Sequence, residues 1–348
     1  MPDTVRLSLD AAHALVVDAL TANGTGAAQA AATAAALVAA EADGQAGHGL
    51  SRVPSYAAQA RTGKVDGHAV PCVDQPAAAL VRIDAGGGFA YPAVDVAIDC
   101  LVDMVPSFGL GAAAIHRSHH FGQAGRHVER LAEAGLVALA LSNTPQAMAF
   151  HGGRLPRLGT NPIAFACPAT DGAPLVIDMA LSVAGRGKVN AAAQAGRPIP
   201  EGWALDAQGR PTTDATAALA GSMLPVGGAK GAALALMVEV LAAALTGARF
   251  GFEASSLFEA EGAPPGLGHL ILAFDAPAVS GDAFAERMAV LAATVAAEDD
   301  VRLPGTRRLA ARAAAARDGL RLPAALHAEI RALAHGGRPQ SSAASRLG

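Results

Sequence analysis

Apolar residues recur at helical spacing from the start of the chain. Ser8 can cap a helix running through Leu15 and Leu20 to the break at Asn23-Gly24. Thr25 can cap a second, Ala-rich helix ending near Gly44, and a third is predicted over residues 51–62. Pro54 falls in the first turn of that third helix, where a missing N–H leaves no bond unmade. Pro71 and Pro76 mark the exit from this helical region. The pattern then alternates. Apolar runs at 79–84, 111–116, 135–142, 163–167, 175–179 and 270–275 predict strands; 92–105, 121–134, 212–219, 229–245 and 282–297 predict helices. This interleaving predicts an α/β sheet domain. Two Arg- and Ala-rich helices are expected beyond Pro304, then a disordered tail over 336–348.

Composition narrows the classes. Hydrophobic residues make up 52% and charged ones 16%, which describes a globular chain. A net charge of −4 gives no reason to expect nucleic acid, so a small anionic ligand must be held by local cations. Cys72, Cys100 and Cys167 are odd in number and far apart, which fits a reducing compartment. The opening MPDTVRLSLD lacks the basic-then-apolar pattern of a secretory leader, and the apolar run 231–247 is short and carries Glu239. A cytoplasmic protein without membrane association is expected.

Four constellations could carry chemistry. The first is Gly47-His48-Gly49-Leu50-Ser51-Arg52, with Tyr56 one turn on. His48, Arg52 and Tyr56 share a helical face, joining a proton-exchanging imidazole to a carboxylate-binding guanidinium. An ordinary helix start with a half-buried His and a surface Arg would read the same way. The second runs from Ile115 to Gly125 and holds His116, His119 and His120 where a strand gives way to a helix, a place that presents N–H groups to phosphates. No Cys or acidic residue lies nearby, so no metal is expected there; a solvated His-rich loop is the plain alternative. The third joins Leu158-Gly159-Thr160-Asn161-Pro162 to Asp178-Met179-Ala180 and Gly185-Arg186-Gly187-Lys188, and the fourth is 225–231 around Lys230. Neither Gly-Lys stretch is a Walker motif, and no GxGxxG follows a first strand. Only three of the 26 basic residues are lysines, and two of them, Lys188 and Lys230, sit in Gly-flanked segments. A compact, rotatable charge suits a phosphate or a catalytic proton.

The runs GHGLSR, SHHFG, LGTNP, DMA, GRGKV, IPEGWALDAQGRPTTD and GGAKG resemble the malate/L-lactate dehydrogenase-like oxidoreductases, a family distinct from Rossmann lactate dehydrogenases. The resemblance extends from about residue 5 to about 335. RSHHF, the LTG that closes the long helix, and RLPGTRR look most like bacterial reductases of cyclic imino acids, which reduce pyrroline-2-carboxylate to proline and piperideine-2-carboxylate to pipecolate. The family fold implied is a non-Rossmann, mixed-sheet cofactor domain (75–298) with an all-α domain formed by the chain ends (1–74 and 299–335), working as a homodimer. The resemblance implies His48 as proton donor, and Arg52 and Thr160 as substrate contacts. For NADPH, with NADH possible, it implies His120, Phe121, Gly122, Gln123 and Ala124; Asp178, Met179 and Ala180; Arg186, Gly187 and Lys230; and Pro304, Gly305, Arg307 and Arg308. Arg307 and Arg308 are expected at the 2′-phosphate. In some relatives the position of His120 is proposed as the acid–base group instead. Two positions depart from the imino-acid reductases, which carry Ser and Asp, proposed as a relay, where this chain has Gly47 and Lys188. Lys188, a further catalytic candidate, looks more like the hydroxy-acid dehydrogenase branch. The leading expectation is an NADPH-dependent reductase of cyclic 2-imino acids; the alternative is an NAD(P)-dependent 2-hydroxy-acid dehydrogenase of malate, lactate or sulfolactate type. A catalytically dead binding paralogue would need a broken site, and His48, Arg52, His120 and Lys230 are all in place.

Overall fold

The computed structural model describes residues 3–169, 172–281 and 283–336. The first half runs β1 (Thr4–Leu7), α1 (Leu9–Thr21), α2 (Ala27–Ala42), α3 (Val53–Thr62), β2 (Cys72–Ala77), β3 (Leu80–Asp84), α4 (Ala90–Phe108), β4 (Leu110–Ser118), α5 (Ala124–Glu133), β5 (Leu136–Ser142), β6 (Met148–Ala149) and β7 (Pro156–Leu158). The second runs β8 (Ile163–Cys167), β9 (Leu175–Met179), α6 (Arg186–Gln194), β10 (Ala204–Leu205), β11 (Pro211–Thr212), α7 (Ala215–Ala220), β12 (Ser222–Met223) and α8 (Ala229–Glu239). After a π turn, Val240–Ala244, come β13 (Leu267–Asp275), α9 (Ala276–Ser280), α10 (Ala283–Ala296), α11 (Thr306–Asp318), β14 (Leu320–Pro323) and α12 (Ala324–Ala334).

Seven strands form the main sheet in the order β2-β3-β4-β13-β5-β8-β9. Only β3 and β4 pair in parallel; the other neighbours are antiparallel. A doubly wound dinucleotide fold needs a mostly parallel sheet, so this is a different α/β architecture. Alternation along β13 divides the core. Ile271 faces a cluster with Ile115, Leu101 and Val128, beneath α4 and α5. Leu270 faces a second cluster with Leu141, Met148 and Val238. A small sheet, β11-β10-β12-β6-β7, lies beyond that second face. A third cluster draws on both chain ends: Val16, Leu20, Leu37 and Tyr56 pack with Leu322, Ile330 and Leu333. There β1 pairs with β14, Thr4 opposite Pro323.

A buried ionic cluster rivets the helical layer to the sheet layer. Asp43, just past α2, and Glu129 on α5 have wholly buried carboxylates. Arg308 reaches Glu129 at 2.7 Å, and Arg312 reaches Asp43 and Glu129 at 2.7 Å each. Burial opposes ionisation of Glu129, yet bonds from Arg312, Arg308 and Arg126 win and hold its pKa near 2. Removing one member of such a cluster strands a buried charge, at about 3–5 kcal/mol.

The structure corrects several expectations. Gly26, not Thr25, precedes α2, and among the described residues the buried Thr25 hydroxyl has no partner. Helix α5 starts at Ala124 because Gly122 turns at φ +73°, where an added Cβ would lie 2.6 Å from Tyr91 Oη. The 212–219 helix begins after Asp214, which caps it through Thr216 N–H. Pro106 is tolerated in the last turn of α4, so that helix runs on to Phe108. The strand β14 separates the last two helices. The expected disordered tail lies, apart from Gly336, outside the described residues, as does Asp282. No described helix is long and apolar enough to cross a membrane.

Candidate active site

His48 ends a 3-10 turn, Ala46–His48, and a second turn, Leu50–Arg52, leads into α3. Glu41 fixes this double turn by accepting Leu50 N–H at 2.9 Å, so close to Gly49 that a side chain there would clash. Arg52 Nε donates to the Gly47 carbonyl at 2.7 Å, leaving the Nη edge for a ligand. Across from this turn, β4 twists near its end at Arg117, a left-handed residue at φ 51°, and the chain leaving it carries the buried His119 and His120. The His48 and His120 rings stack at 5.2 Å and 19°. The structure therefore unites the first two constellations.

Hydrogen bonds order this cluster. Tyr56 Oη lies 2.6 Å from His120 Nδ1 and 3.3 Å from Tyr91 Oη. Burial lifts the Tyr56 pKa to about 12, so its hydroxyl stays protonated where it meets His120 Nδ1. Gln59 donates its amide to the Leu257 and Glu259 carbonyls, so its oxygen accepts from His119 Nε2 at 2.8 Å. Behind them, His269 bridges Ser142 and Ser118 at 2.9 Å each. Every imidazole here is held neutral. Burial, then the Arg52 charge, lowers His48 to about 4. Burial, with Lys64 and Arg52, lowers His119 to about 3. His120 is pushed well below its usual value by burial and then by Arg52 and its His neighbours. Among the described residues His48 Nδ1 is buried without a partner, which leaves Nε2 as the nitrogen able to face a ligand.

The third and fourth constellations meet in a separate, open cradle. The chain after β9 pairs with the chain before α8, Val226 N–H bonding to Leu181 O and Val183 N–H to Leu224 O. This pairing is antiparallel, so α6 and α8 lead away from its two ends, from Gly185 and Gly228, and among the described residues neither start has a side-chain cap. An added Cβ at Gly185, Gly187, Gly227 or Gly228 would meet nothing within 4 Å. Lys188 and Lys230 are exposed, and among the described residues their ammonium groups make no hydrogen bond. Arg186 is half-buried and donates to the Leu219 carbonyl. Thr160 bonds Thr144, and its neighbour Asn161 holds Glu239 at 2.7 Å inside the apolar helix α8. Asp178 accepts Gly125 N–H at 2.8 Å and so caps α5 from β9. At the start of α11, Arg307 is exposed beside Pro304 and Gly305, whereas Arg308 is turned inward onto Glu129. Gln123 is likewise turned inward, onto Asp43 at 2.7 Å.

Sequence reasoning missed Tyr91, Gln59 and Phe258, whose ring centroid lies 5.1 Å from Arg52 Cζ. One signal was available: the chain has only two tyrosines, and they bond to each other in this cluster. Among the described residues no set of three or more His, Cys, Asp or Glu is arranged to hold a metal.

Comparison with known proteins gives this geometry its context. The profile of the malate/L-lactate dehydrogenase family matches residues 7–331. A (2R)-3-sulfolactate dehydrogenase (NADP(+)) of Chromohalobacter salexigens is 55% identical over 306 residues, covering 88% of this chain and 91% of the relative. A Δ1-pyrroline-2-carboxylate reductase of Ancylobacter novellus is 41% identical over 337 residues, covering 96% and 98%. The crystal structure of Δ1-piperideine-2-carboxylate reductase from Pseudomonas syringae pathovar tomato superposes with a TM-score of 0.90 at 39% identity, covering 94% and 99%. A profile that spans nearly the whole chain, with relatives of this identity and coverage, means that the chain belongs to the malate/L-lactate dehydrogenase family of oxidoreductases.

Proposed function

We propose that this chain is an NADP-dependent dehydrogenase that interconverts a small 2-hydroxy acid and its 2-oxo acid, with 3-sulfolactate the first substrate to try. One observation carries the reading. After burial, the full charges that depress His48, His119 and His120 are cationic, Arg52 at all three and Lys64 at His119. A cationic site stabilises the negative charge a carbonyl oxygen gains during reduction, and it opposes a ring iminium. Gly47 and Lys188 point the same way, since neither can supply the carboxylate or hydroxyl of a Ser–Asp relay. The relative at 55% identity bears a sulfolactate dehydrogenase name.

The residues present fit a dinucleotide. Uncapped starts of α6 and α8, open space over four glycines, and the unengaged Lys188 and Lys230 make a donor set for phosphates. Gly122 and Ala124 would flank it from the β4–α5 turn, with Met179 and Ala180 from the end of β9 and Arg307 at the 2′-phosphate. The bound nicotinamide supplies or accepts the hydride. Arg52 holds the substrate carboxylate through its free Nη edge, and Thr160 adds a hydroxyl. In the oxidative direction the neutral His48 takes the hydroxyl proton at Nε2. The substrate carboxylate also offsets the Arg52 charge, one of the two causes of His48's low pKa, and so eases formation of the imidazolium.

The second reading is a reductase of Δ1-pyrroline-2-carboxylate and Δ1-piperideine-2-carboxylate, favoured by the relative at 41% identity and the matched crystal structure. It uses the same Arg52 clamp. Steady-state rates with 3-sulfolactate, malate and lactate plus NADP(+), against both cyclic imines plus NADPH, separate the two. A kcat/KM at least about tenfold higher for the imines would overturn the first reading. Within either reading the chain works as a cytoplasmic homodimer, a proposal supported by α10, an apolar helix that buries none of its residues in one copy, and by three unpaired cysteines.

A further inference from the structure

Between the π turn and β13, residues 256–260 lie as a strap across the end of α3. Four of their carbonyls accept from side chains of one short stretch. Lys64 Nζ donates to Ser256 at 2.6 Å and Glu259 at 2.9 Å, Gln59 Nε2 to Leu257 and Glu259 at 3.0 Å each, and Thr62 Oγ1 to Ala260 at 2.6 Å. Gln59 is 0% exposed and Lys64 1% exposed. Burying an ammonium and an amide is unfavourable unless their donors are satisfied, so these side chains pin the strap in one position. Within it Leu257 is buried as the anchor, and Phe258 points out at 51% exposure. A half-exposed phenylalanine on a pinned loop contributes little to the core. Its ring instead covers the Arg52 guanidinium, 5.1 Å from Cζ.

We infer that Phe258 is a positioning residue for substrate: it fixes the plane of the Arg52 guanidinium so that the Nη edge addresses the substrate carboxylate. Two restraints then define that plane, the Nε bond to the Gly47 carbonyl and the aromatic face. The strap couples to the proton-handling cluster as well, because the Gln59 amide that grips it holds His119 through its oxygen. The inference rests on the reading of Arg52 as the carboxylate clamp, and it holds for either substrate class, since both carry that carboxylate.

The test is a double-mutant cycle, Phe258→Ala and Arg52→Ala singly and together, with Phe258→Tyr as the conservative variant. The substrate is whichever of 3-sulfolactate and Δ1-piperideine-2-carboxylate the wild-type enzyme turns over. Phe258→Ala is expected to raise the substrate KM about fivefold, from a cation–π contact at a partly exposed site. It should leave kcat within about twofold and NADPH affinity unchanged, and Phe258→Tyr should restore KM. In the Arg52→Ala background, Phe258→Ala should add nothing further. An Arg52→Ala effect on KM without a Phe258→Ala effect overturns the positioning role alone. A Phe258→Ala effect that persists in the Arg52→Ala background, or that Tyr fails to restore, also overturns it. An unchanged KM in Arg52→Ala overturns the clamp itself and the positioning role with it.

Discussion

The histidine cluster and the glycine–lysine cradle treat polar groups in opposite ways. In the cluster, buried side chains of α3 bond those of the β4–α5 turn, His269 of β13 bonds Ser142 and Ser118 behind them, and each imidazole is kept neutral first by burial. In the cradle, two uncapped helix starts and two lysines are left open to solvent. The contrast fits the tasks proposed for the two regions. A proton must be handed over at one atom, which requires fixed geometry and a pKa set by the surroundings. A polyanion is bound by donors that the ligand itself completes, so unfilled donors are the design.

The sharpest way to break this comparison is to remove the proton handler. His48→Ala is expected to lower kcat by about two to four orders of magnitude, while fluorescence titration finds NADPH binding little changed. Near-normal turnover in His48→Ala, with His120→Ala inert but still binding NADPH, would reverse the two roles. Acid is the next test. His48 and His127 are lowered to about 4 and His119 and His269 to about 3, in each case first by burial. Between their unfolded value near 6.5 and these folded values, the unfolded chain binds more protons. Stability contributed by the neutral imidazoles is therefore present above about pH 6.5 and is lost as pH falls toward 4 and 3. Thermal melting should show Tm dropping steeply below pH 6, and a flat Tm down to pH 4.5 would mean that the cluster is wetter than drawn.

Much of this was legible in the chain. The helices α1, α4 and α8 and the strands β3, β5, β8 and β9 follow from long apolar periodicity, and the motif residues stand out by type and spacing alone. Other features depend on partners remote in sequence. Four residues of β1 pair with four of β14, more than 300 positions away, and β2 is exposed throughout and contains Pro76. Helix α6 hid behind Gly185 and Gly187, which read locally as a turn. Lys64 gave no signal of its role, because its carbonyl partners lie about 190 residues on. Candidate residues were found by type, but which face solvent and which face each other is decided by tertiary packing.

Arg307 and Arg308 show this at its smallest scale and give the mildest test. Adjacent in sequence, one is exposed and the other turned onto Glu129. Arg307→Ala is expected to raise the KM for NADPH about fivefold with Tm unchanged, and Arg308→Ala to lower Tm because Glu129 loses a buried partner. Equal losses of NADPH affinity in both variants would put Arg308 at the phosphate too.

The pairing of β1 with β14 also governs when the protein becomes an enzyme. Ribosomal synthesis is vectorial, and the helical layer that carries His48 and Arg52 is closed by Leu322, Ile330 and Leu333. The central sheet can assemble around β13 while those residues are still inside the exit tunnel. Until they emerge, α1 to α3 lack the apolar partners Leu322, Ile330 and Leu333 and leave that face uncovered. The helical layer that carries His48 and Arg52 is therefore completed only after every strand of the main sheet has been made.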